Sequence, residues 1–298
     1  MVPIACHGDG DCVSCYVNEI LDCYYELSRS PDLKPSPSIN CLFERLVGLC
    51  SRIPDEATTA QILSDPKVVD IAPHLRKLCS DGEYQLEAHW ARKVCCCKTH
   101  EEANEMLLTF PYHGNYVDLV RMEMNAIASV KPDFATRTFA FLGSGPLPLT
   151  SLCISHHLQS ECVSCHNVDQ DATAITTAVT LCRALGHSPE TMCFQCASAG
   201  SPDIDLGCFD IVYLAALVGG CSTHKHEIMA DVVKRMKPGA LVVMRSAHSL
   251  RRLLYPVIEV TEDMASIGLR PLLVVHPYNH IVNSCVIAVV ESPCGCGP

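Results

Sequence analysis

The sequence predicts a helical N-terminal half followed by an α/β half with a largely parallel sheet. In the first 130 residues, apolar side chains recur at helical spacing, as from Leu75 to Val94 and from Tyr116 to Val130. Beyond the segment Lys131-Pro132-Asp133, short apolar runs alternate with longer amphipathic runs. This alternation is typical of a parallel sheet with helices on both faces. We therefore predict two domains, 1–131 and 132–298.

The same patterns indicate where the individual elements lie. In the helical half, one apolar face runs from Val17 to Leu27 and a second from Leu42 to Val47, with the proline-rich segment Ser30–Pro37 between them. In the α/β half, seven short apolar runs are predicted as strands: Thr138–Leu142, Cys162–Val168, Met192–Phe194, Phe209–Leu214, Leu241–Arg245, Leu272–Val275 and Val282–Val290. Three amphipathic runs are predicted as helices: Leu147–His157, Thr173–Leu185 and Lys225–Met236.

Composition restricts the class of protein. Of the 298 residues, 48% are hydrophobic and 18% charged, which is enough for a sizeable core and excludes wholesale disorder. The net charge of -11, without a basic run, makes nucleic acid an unsuitable partner. The chain starts without a secretory leader, and its apolar stretches are shorter than the roughly 18 residues of a membrane span. We therefore expect a soluble cytoplasmic protein with reduced thiols and no membrane contact.

A glycine turn and a spaced acid predict a nucleoside site. The first predicted strand of the α/β half ends in Gly143-Ser144-Gly145-Pro146, where a doubly wound fold brings backbone close to a ligand. Asp169 follows 24 residues after Gly145, near the spacing of an acid that binds ribose hydroxyls. The third glycine of the dinucleotide pattern is missing, which favours a nucleoside without pyrophosphate, most often S-adenosylmethionine. Taken alone, the glycines are equally explained by the steric needs of a strand-to-helix turn. Asp169 alone is equally explained as an ordinary loop or N-cap residue.

The 21 cysteines are the unusual feature of the composition. Three C-x-x-C pairs occur, Cys12/Cys15, Cys162/Cys165 and Cys193/Cys196, and a Cys95-Cys96-Cys97 run precedes His100. Such spacing suits zinc, but chance pairs are expected at this density, and two of the pairs fall on or beside predicted strands. We expect small buried hydrophobic side chains and no metal site, with structural zinc and redox sensing as the alternatives.

Longer strings closely resemble the signature of the nicotianamine synthase family. They occur in order from about residue 17 to 290, so the resemblance covers nearly the whole chain. In the helical half they are DLKPS at 32–36, LEAHW at 86–90 and FPYHGNY at 110–116. In the α/β half they are FLGSGPLPLTS at 141–151, YLAALVG at 213–219, MKPGA at 236–240, RSAH at 245–248, LYPV at 254–257, and HP at 276–277 followed by VNS at 282–284.

The resemblance implies a helical bundle that caps a Rossmann-like domain of the S-adenosylmethionine-transferase type. It also implies an activity, in which 3-amino-3-carboxypropyl groups from three S-adenosylmethionine molecules form nicotianamine, with one azetidine ring, and 5′-methylthioadenosine. A sulfonium is already a good leaving group, so no cofactor is expected beyond S-adenosylmethionine as substrate. The expected partner is therefore a small molecule, and a homodimer is the expected assembly if the chain associates.

The resemblance also assigns site residues. Glu87 matches the family's catalytic glutamate. The alternative is that Glu87 is an ordinary solvent-exposed glutamate on a helix. Tyr112 is favoured as the catalytic phenol and Tyr116 is the alternative, while Tyr24 matches a tyrosine that faces the same cavity. Arg245 either clamps a substrate carboxylate or forms a structural ion pair. The remaining assignments are Asn115 at the substrate, and Gly143, Ser144, Gly145, Pro146, Asp169, Ser198 and Ala215 at the donor nucleoside.

One position departs from the family pattern. After the third predicted strand the family carries an acid at the adenine, whereas Ser198 stands there in this sequence. A hydroxyl carries no charge, so donor affinity is expected to change more than reaction class. Two other functions compete with the transferase: an S-adenosylmethionine-dependent methyltransferase, which would share the nucleoside site, and a thiol-rich metal-binding or sensor protein on an inactive transferase scaffold.

Overall fold

The computed structural model describes residues 12–132, 138–158, 163–219 and 222–292. Six helices form the N-terminal half: α1 (Val13–Arg29), α2 (Pro37–Ser51), α3 (Glu56–Ser64), α4 (Pro66–Cys95), α5 (His100–Leu108) and α6 (His113–Val130). Side-chain oxygens cap several of these helices; Ser36, Asp55 and Thr99, for example, accept from backbone amides of the first turn of α2, α3 and α5. The sequence patterns missed α3 and α5, whose nine-residue lengths leave little room for a periodic apolar face.

The C-terminal half carries the remaining elements. The helices are α7 (Leu149–Leu158), α8 (Ala172–Ala184), α9 (Ser222–Val233) and α10 (Asp263–Ser266), with a 3₁₀ turn at Ser249–Leu253. The strands are β1 (Thr138–Leu142), β2 (Ser164–Asp169), β3 (Met192–Cys196), β4 (Ile211–Leu214), β5 (Leu241–Ser246), β6 (Leu269–Val275) and β7 (Ser284–Val290). Each overlaps a predicted strand. No helix among the described residues is long and apolar enough to cross a membrane.

The strands form one sheet in the order β3-β2-β1-β4-β5-β7-β6. Pairs from β3 through β5 are parallel, whereas β7 runs antiparallel to both β5 and β6. All residues of β4, β5 and β7 are buried, as expected for strands covered on both faces. The predicted Rossmann-like architecture is therefore confirmed, with an antiparallel edge that the apolar runs alone did not indicate.

Three apolar clusters hold the molecule together. Side chains of α9 cover one face of the sheet, and side chains of α6, α7 and α8 cover the other. The third cluster joins α1, α2, α3 and the first half of α4 to the 3₁₀ turn and Val282. Helices α5 and α6, which precede the predicted domain boundary, thus contribute to the core of the sheet. The second half of α4 also joins this core, through Ala91 and Val94, while its first half belongs to the third cluster.

Candidate active site

The glycine turn after β1 brings the backbone close to α4. Gly143 and Gly145 have φ angles of +85° and +64°, a region that side chains disfavour. A Cβ on Gly145 would lie 2.7 Å from Oε2 of Glu87, and a Cβ on Gly143 would lie 2.3 Å from Cγ2 of Val218. Both glycines are therefore required for close approach, and the Glu87 carboxyl of α4 lies against the turn at Gly145.

Asp169 stands at the end of β2, beside this turn. Its Oδ2 accepts from the Gly145 amide at 2.8 Å, and its Oδ1 accepts from the Asp171 amide at 2.9 Å. Each carboxylate oxygen has a second lone pair for a ligand hydroxyl. Asp171 accepts in turn from the Tyr84 phenol of α4 at 2.6 Å, and this bond raises the pKa of Tyr84 to about 12. The helical half and the glycine turn are thus linked at the end of β2.

Two neighbouring cavities meet at this place. The first has a volume of about 450 Å³ and is lined by the glycine turn, Asp169 and the ends of β4 and β5. The second has a volume of about 120 Å³ and lies among α2, α4 and α6. Five residues line both cavities and so form the wall between them: Glu83, Glu87, Tyr116, Tyr255 and Asn283.

The shared wall carries two carboxyl groups one helical turn apart on α4. Tyr116 donates to Oε1 of Glu87 at 3.1 Å and to Oε1 of Glu83 at 3.4 Å, and Tyr255 donates to Oε2 of Glu83 at 3.0 Å. No lysine or arginine forms an ion pair with either carboxyl among the described residues. Burial, followed by the charge of Glu83, raises the pKa of Glu87 well above its ordinary value. Burial also raises the pKa of Glu83.

Arg245 at the end of β5 is held by a different carboxylate. Its Nε and Nη2 donate to the two oxygens of Glu123 on α6, at 2.8 and 3.1 Å, and both side chains are buried. The guanidinium carbon lies 5.8 Å from the ring centroid of Tyr116. Burial alone would lower the pKa of Arg245, but the charge of Glu123 outweighs it, so the pKa is raised. Arg245 therefore forms the structural ion pair while it also borders the first cavity.

The other sequence-predicted residues fall into separate places. Ser198 and Ala215 line the first cavity together with Gly143, Ser144 and Gly145. Tyr112 and Asn115 line the second cavity, where Asn115 also donates to the His280 carbonyl at 2.8 Å. Pro146 follows the turn without lining either cavity, and Tyr24 lies outside both, with its hydroxyl 3.0 Å from Nδ1 of His74.

Four residues of the site were missed by the reasoning from sequence. Glu83 precedes Glu87 by four positions, so helical spacing could have placed it on the same face of α4. Tyr255 and Asn283 lie within strings that carried the family resemblance, and no local signal marks them as site residues. Tyr84 reaches the site only through its contact with Asp171, which follows it by 87 positions.

The thiols follow two patterns. Seven described cysteines are buried, whereas five, including Cys12, Cys96 and Cys196, are exposed, so core packing accounts only for the first group. Cys12 and Cys15 lie with their sulfurs 2.8 Å apart at the start of α1. Within the described ranges, no group of three or more potential ligands is arranged to hold a metal ion. In the third pair, Cys162/Cys165, Cys162 lies outside the described residues.

The fold and the site together define a Rossmann-like enzyme of the S-adenosylmethionine-transferase type, covered by helices over its nucleoside pocket. The sequence pattern of the family described as nicotianamine synthase protein matches residues 9–294. The chain belongs to the nicotianamine synthase family, and the resemblance noted in the sequence is confirmed.

Relatives and solved structures agree with this assignment. Nicotianamine synthase 9 of Hordeum vulgare is 36% identical over 88% of this chain and 75% of its own length. Nicotianamine synthase 2 of Arabidopsis thaliana is 34% identical over 91% of this chain and 82% of its own length. A crystal structure of MtNAS in complex with MTA and tNA has a TM-score of 0.74 at 20% identity, covering 97% of this chain and 100% of that chain. This last likeness establishes the fold.

Proposed function

We propose that this chain synthesises nicotianamine from S-adenosylmethionine. Three 3-amino-3-carboxypropyl groups are joined, one of them closes an azetidine ring, and 5′-methylthioadenosine is released. Family membership supports the reaction class. The observation that carries the proposal is the Glu87 carboxyl, which lies against Gly145 of the glycine turn and lines both cavities, where the Tyr116 phenol donates to it and no lysine or arginine of the described residues forms an ion pair with it.

The two cavities suit the two halves of the reaction. In the first, the glycine turn and the Asp169 carboxylate provide a place for the nucleoside and its ribose hydroxyls. The second is smaller, apolar along Phe43, Leu86 and Leu119, and opens toward the same acids. We assign the nucleoside of the donor to the first cavity and the amino-acid chain of the acceptor to the second.

The transfer itself needs an unprotonated amine in line with the donor carbon. The nitrogen lone pair attacks the methylene carbon bonded to sulfur, the carbon–sulfur bond breaks, and its electron pair converts the sulfonium to the neutral thioether of methylthioadenosine. The proton lost by the amine passes to the Glu87 carboxylate. A positioned base of this kind contributes typically about 10²–10⁴ in rate, and fixed near-attack geometry contributes the rest.

The raised pKa of Glu87 suits this task. In the free protein, burial and Glu83 favour the protonated carboxyl. Entry of the sulfonium introduces a positive charge, which favours the ionised form, so donor binding prepares the base. The Tyr116 phenol, itself hydrogen-bonded to Glu87, holds the carboxyl toward the donor. Its contacts favour Tyr116 over Tyr112 as the tyrosine that acts on the base, and they leave Tyr112 to contact the acceptor in the second cavity.

Product analysis tests this function. The purified chain is incubated with S-adenosylmethionine alone, with and without EDTA and a mild reductant, and the products are identified by mass spectrometry. We expect nicotianamine and 5′-methylthioadenosine under all these conditions. Release of S-adenosylhomocysteine would instead support the methyltransferase. Stoichiometric metal without turnover, or activity lost in EDTA and restored by zinc, would support the thiol-based alternative.

The biological setting follows from the product. Nicotianamine carries several amines and carboxylates, which are nitrogen and oxygen ligands for divalent transition metals. We therefore assign the chain to metal homeostasis, and from its composition we propose that it acts in the cytoplasm. Localisation of a fluorescent fusion tests the second statement, and metal content of cells without the gene tests the first.

A further inference from the structure

Asn283 presents an unpartnered donor at the wall between the two cavities. The residue is only 9% exposed, and its Nδ2 has no hydrogen-bond partner among the residues that the structure describes. A buried amide nitrogen without a partner has lost its hydrogen bonds to water and has gained none in exchange. Such a group in a ligand cavity therefore indicates a bond that is completed when the ligand binds.

The backbone around Asn283 is fixed on both sides. Ser284, the next residue, is paired with Ser246 of β5 in the sheet. Val282, the preceding residue, is 8% exposed and belongs to the apolar cluster of the helical half. The Asn283 side chain is therefore held at the junction of the sheet edge with the helices, and its place does not depend on a mobile loop.

The charges of the surrounding wall restrict which ligand group this donor takes. Glu83, Glu87 and Asp169 line the first cavity and repel a carboxylate. At the wall shared by the two cavities, the Tyr116 and Tyr255 phenols already donate to Glu83 and Glu87. Asn283 lines the same wall and offers the unused N–H group that a substrate carboxylate needs there.

We infer that Asn283 binds the α-carboxylate of the aminocarboxypropyl group of S-adenosylmethionine. This role makes Asn283 a specificity-determining residue for a donor that carries the amino-acid tail, and it rests on the proposed function. The bond holds the reacting methylene between Glu87 and the sulfur. Methylthioadenosine, the nucleoside product, lacks this carboxylate and gains nothing from Asn283.

Binding of the two nucleosides separates this role from a structural one. Calorimetry is done in the Glu87→Gln background, so that the donor is not consumed, and compares Asn283→Asp and Asn283→Leu. Asparagine-to-aspartate replacement at Asn18, an exposed position on α1, is the matched control. The lost charge-assisted bond predicts about a tenfold to hundredfold loss of S-adenosylmethionine affinity, larger for the aspartate. Methylthioadenosine affinity is expected to stay within a factor of two.

Three results would overturn the inference. Equal weakening of both nucleosides would place Asn283 at the adenosine or in the fold, which a thermal melt of each variant would then distinguish. Unchanged or tighter S-adenosylmethionine binding by Asn283→Asp would mean that the amide oxygen binds the substrate ammonium. Weakened nicotianamine binding with unchanged S-adenosylmethionine binding would move the contact to the acceptor. Failure of the proposed function is separate, because the chain without these substitutions would then release no methylthioadenosine.

Discussion

Two carboxyl groups at the junction of helices and sheet have different surroundings: Glu123 on α6 lies in the core, and Glu87 on α4 lines the two cavities. Glu123 is completely buried and accepts two bonds from the Arg245 guanidinium. Glu87 accepts from the Tyr116 phenol and lies beside a second acid, Glu83. Both come from helices of the N-terminal half and face the same end of the sheet. The comparison shows how one region uses an acid to anchor helix to sheet, while the other keeps an acid available for chemistry.

The two environments have opposite consequences for stability. Removal of one partner of a buried ion pair leaves an uncompensated charge in the interior. In contrast, the pKa of Glu87 is raised in the folded state, so the unfolded chain releases its proton first as pH rises. The stabilising contribution of protonated Glu87 is therefore fully present below the unfolded pKa of about 4.3 and is lost as pH rises through the folded pKa. At neutral pH the unfolded carboxyl is ionised, so the buried Glu87 carboxyl stabilises the fold less than it does in acid.

The largest expected effect is the loss of turnover in Glu87→Gln. The glutamine keeps the size of the side chain but cannot accept the amine proton, so methylthioadenosine release should fall by about 10²–10⁴. Because a raised carboxyl pKa disfavours folding when the group ionises, the variant should be at least as stable as the wild type at pH 8. Initial rates and thermal melts measure both, with Glu105→Gln, at an exposed position on α5, as the control. A rate within a factor of two of wild type would remove Glu87 from the mechanism.

Glu123→Gln tests the contribution of the buried ion pair to stability. Loss of the anionic partner leaves Arg245 buried and unpaired, which should lower the free energy of unfolding by about 3–5 kcal/mol. Denaturant unfolding measures the change. Replacing both partners together, in Glu123→Leu with Arg245→Met, should regain much of the loss, since apolar groups of similar size carry no buried charge. If the free energy of unfolding of Glu123→Gln lies within about 1 kcal/mol of the wild-type value, water compensates the charge of Arg245 in the variant.

A smaller effect is expected at the nucleoside end of the site. Asp169→Ala removes up to two charge-assisted bonds to the ribose, so methylthioadenosine affinity should fall at least about tenfold. The same substitution at Asp70, which is exposed on α4, is the control. Unchanged affinity in calorimetry would assign Asp169 only to the backbone amides of Gly145 and Asp171, which it already accepts from.

Much of this site was predictable because its elements leave local signals. The glycine turn, the acid after β2 and the family strings around Glu87 all stand in short stretches of sequence. The ion pair of Arg245 with Glu123 joins residues 122 positions apart, and the bond from Tyr255 to Glu83 spans 172. No periodicity encodes such contacts. The prediction for Tyr24 was wrong: the residue matches a family tyrosine in sequence, but it lines neither cavity.

The most direct test of this account is the titration of the Glu87 carboxyl itself. Carbon-13 NMR of glutamate-labelled protein follows the carboxyl signals with pH, and Glu87→Gln identifies the signal that disappears. We expect this signal to titrate well above the ordinary glutamate value in the free protein, because of burial and the neighbouring Glu83. We also expect a lower apparent pKa of Glu87 once the S-adenosylmethionine cation is bound. A Glu87 signal that titrates at the ordinary value, with no response to the cation, would contradict the claim that the unpaired carboxyl is the base.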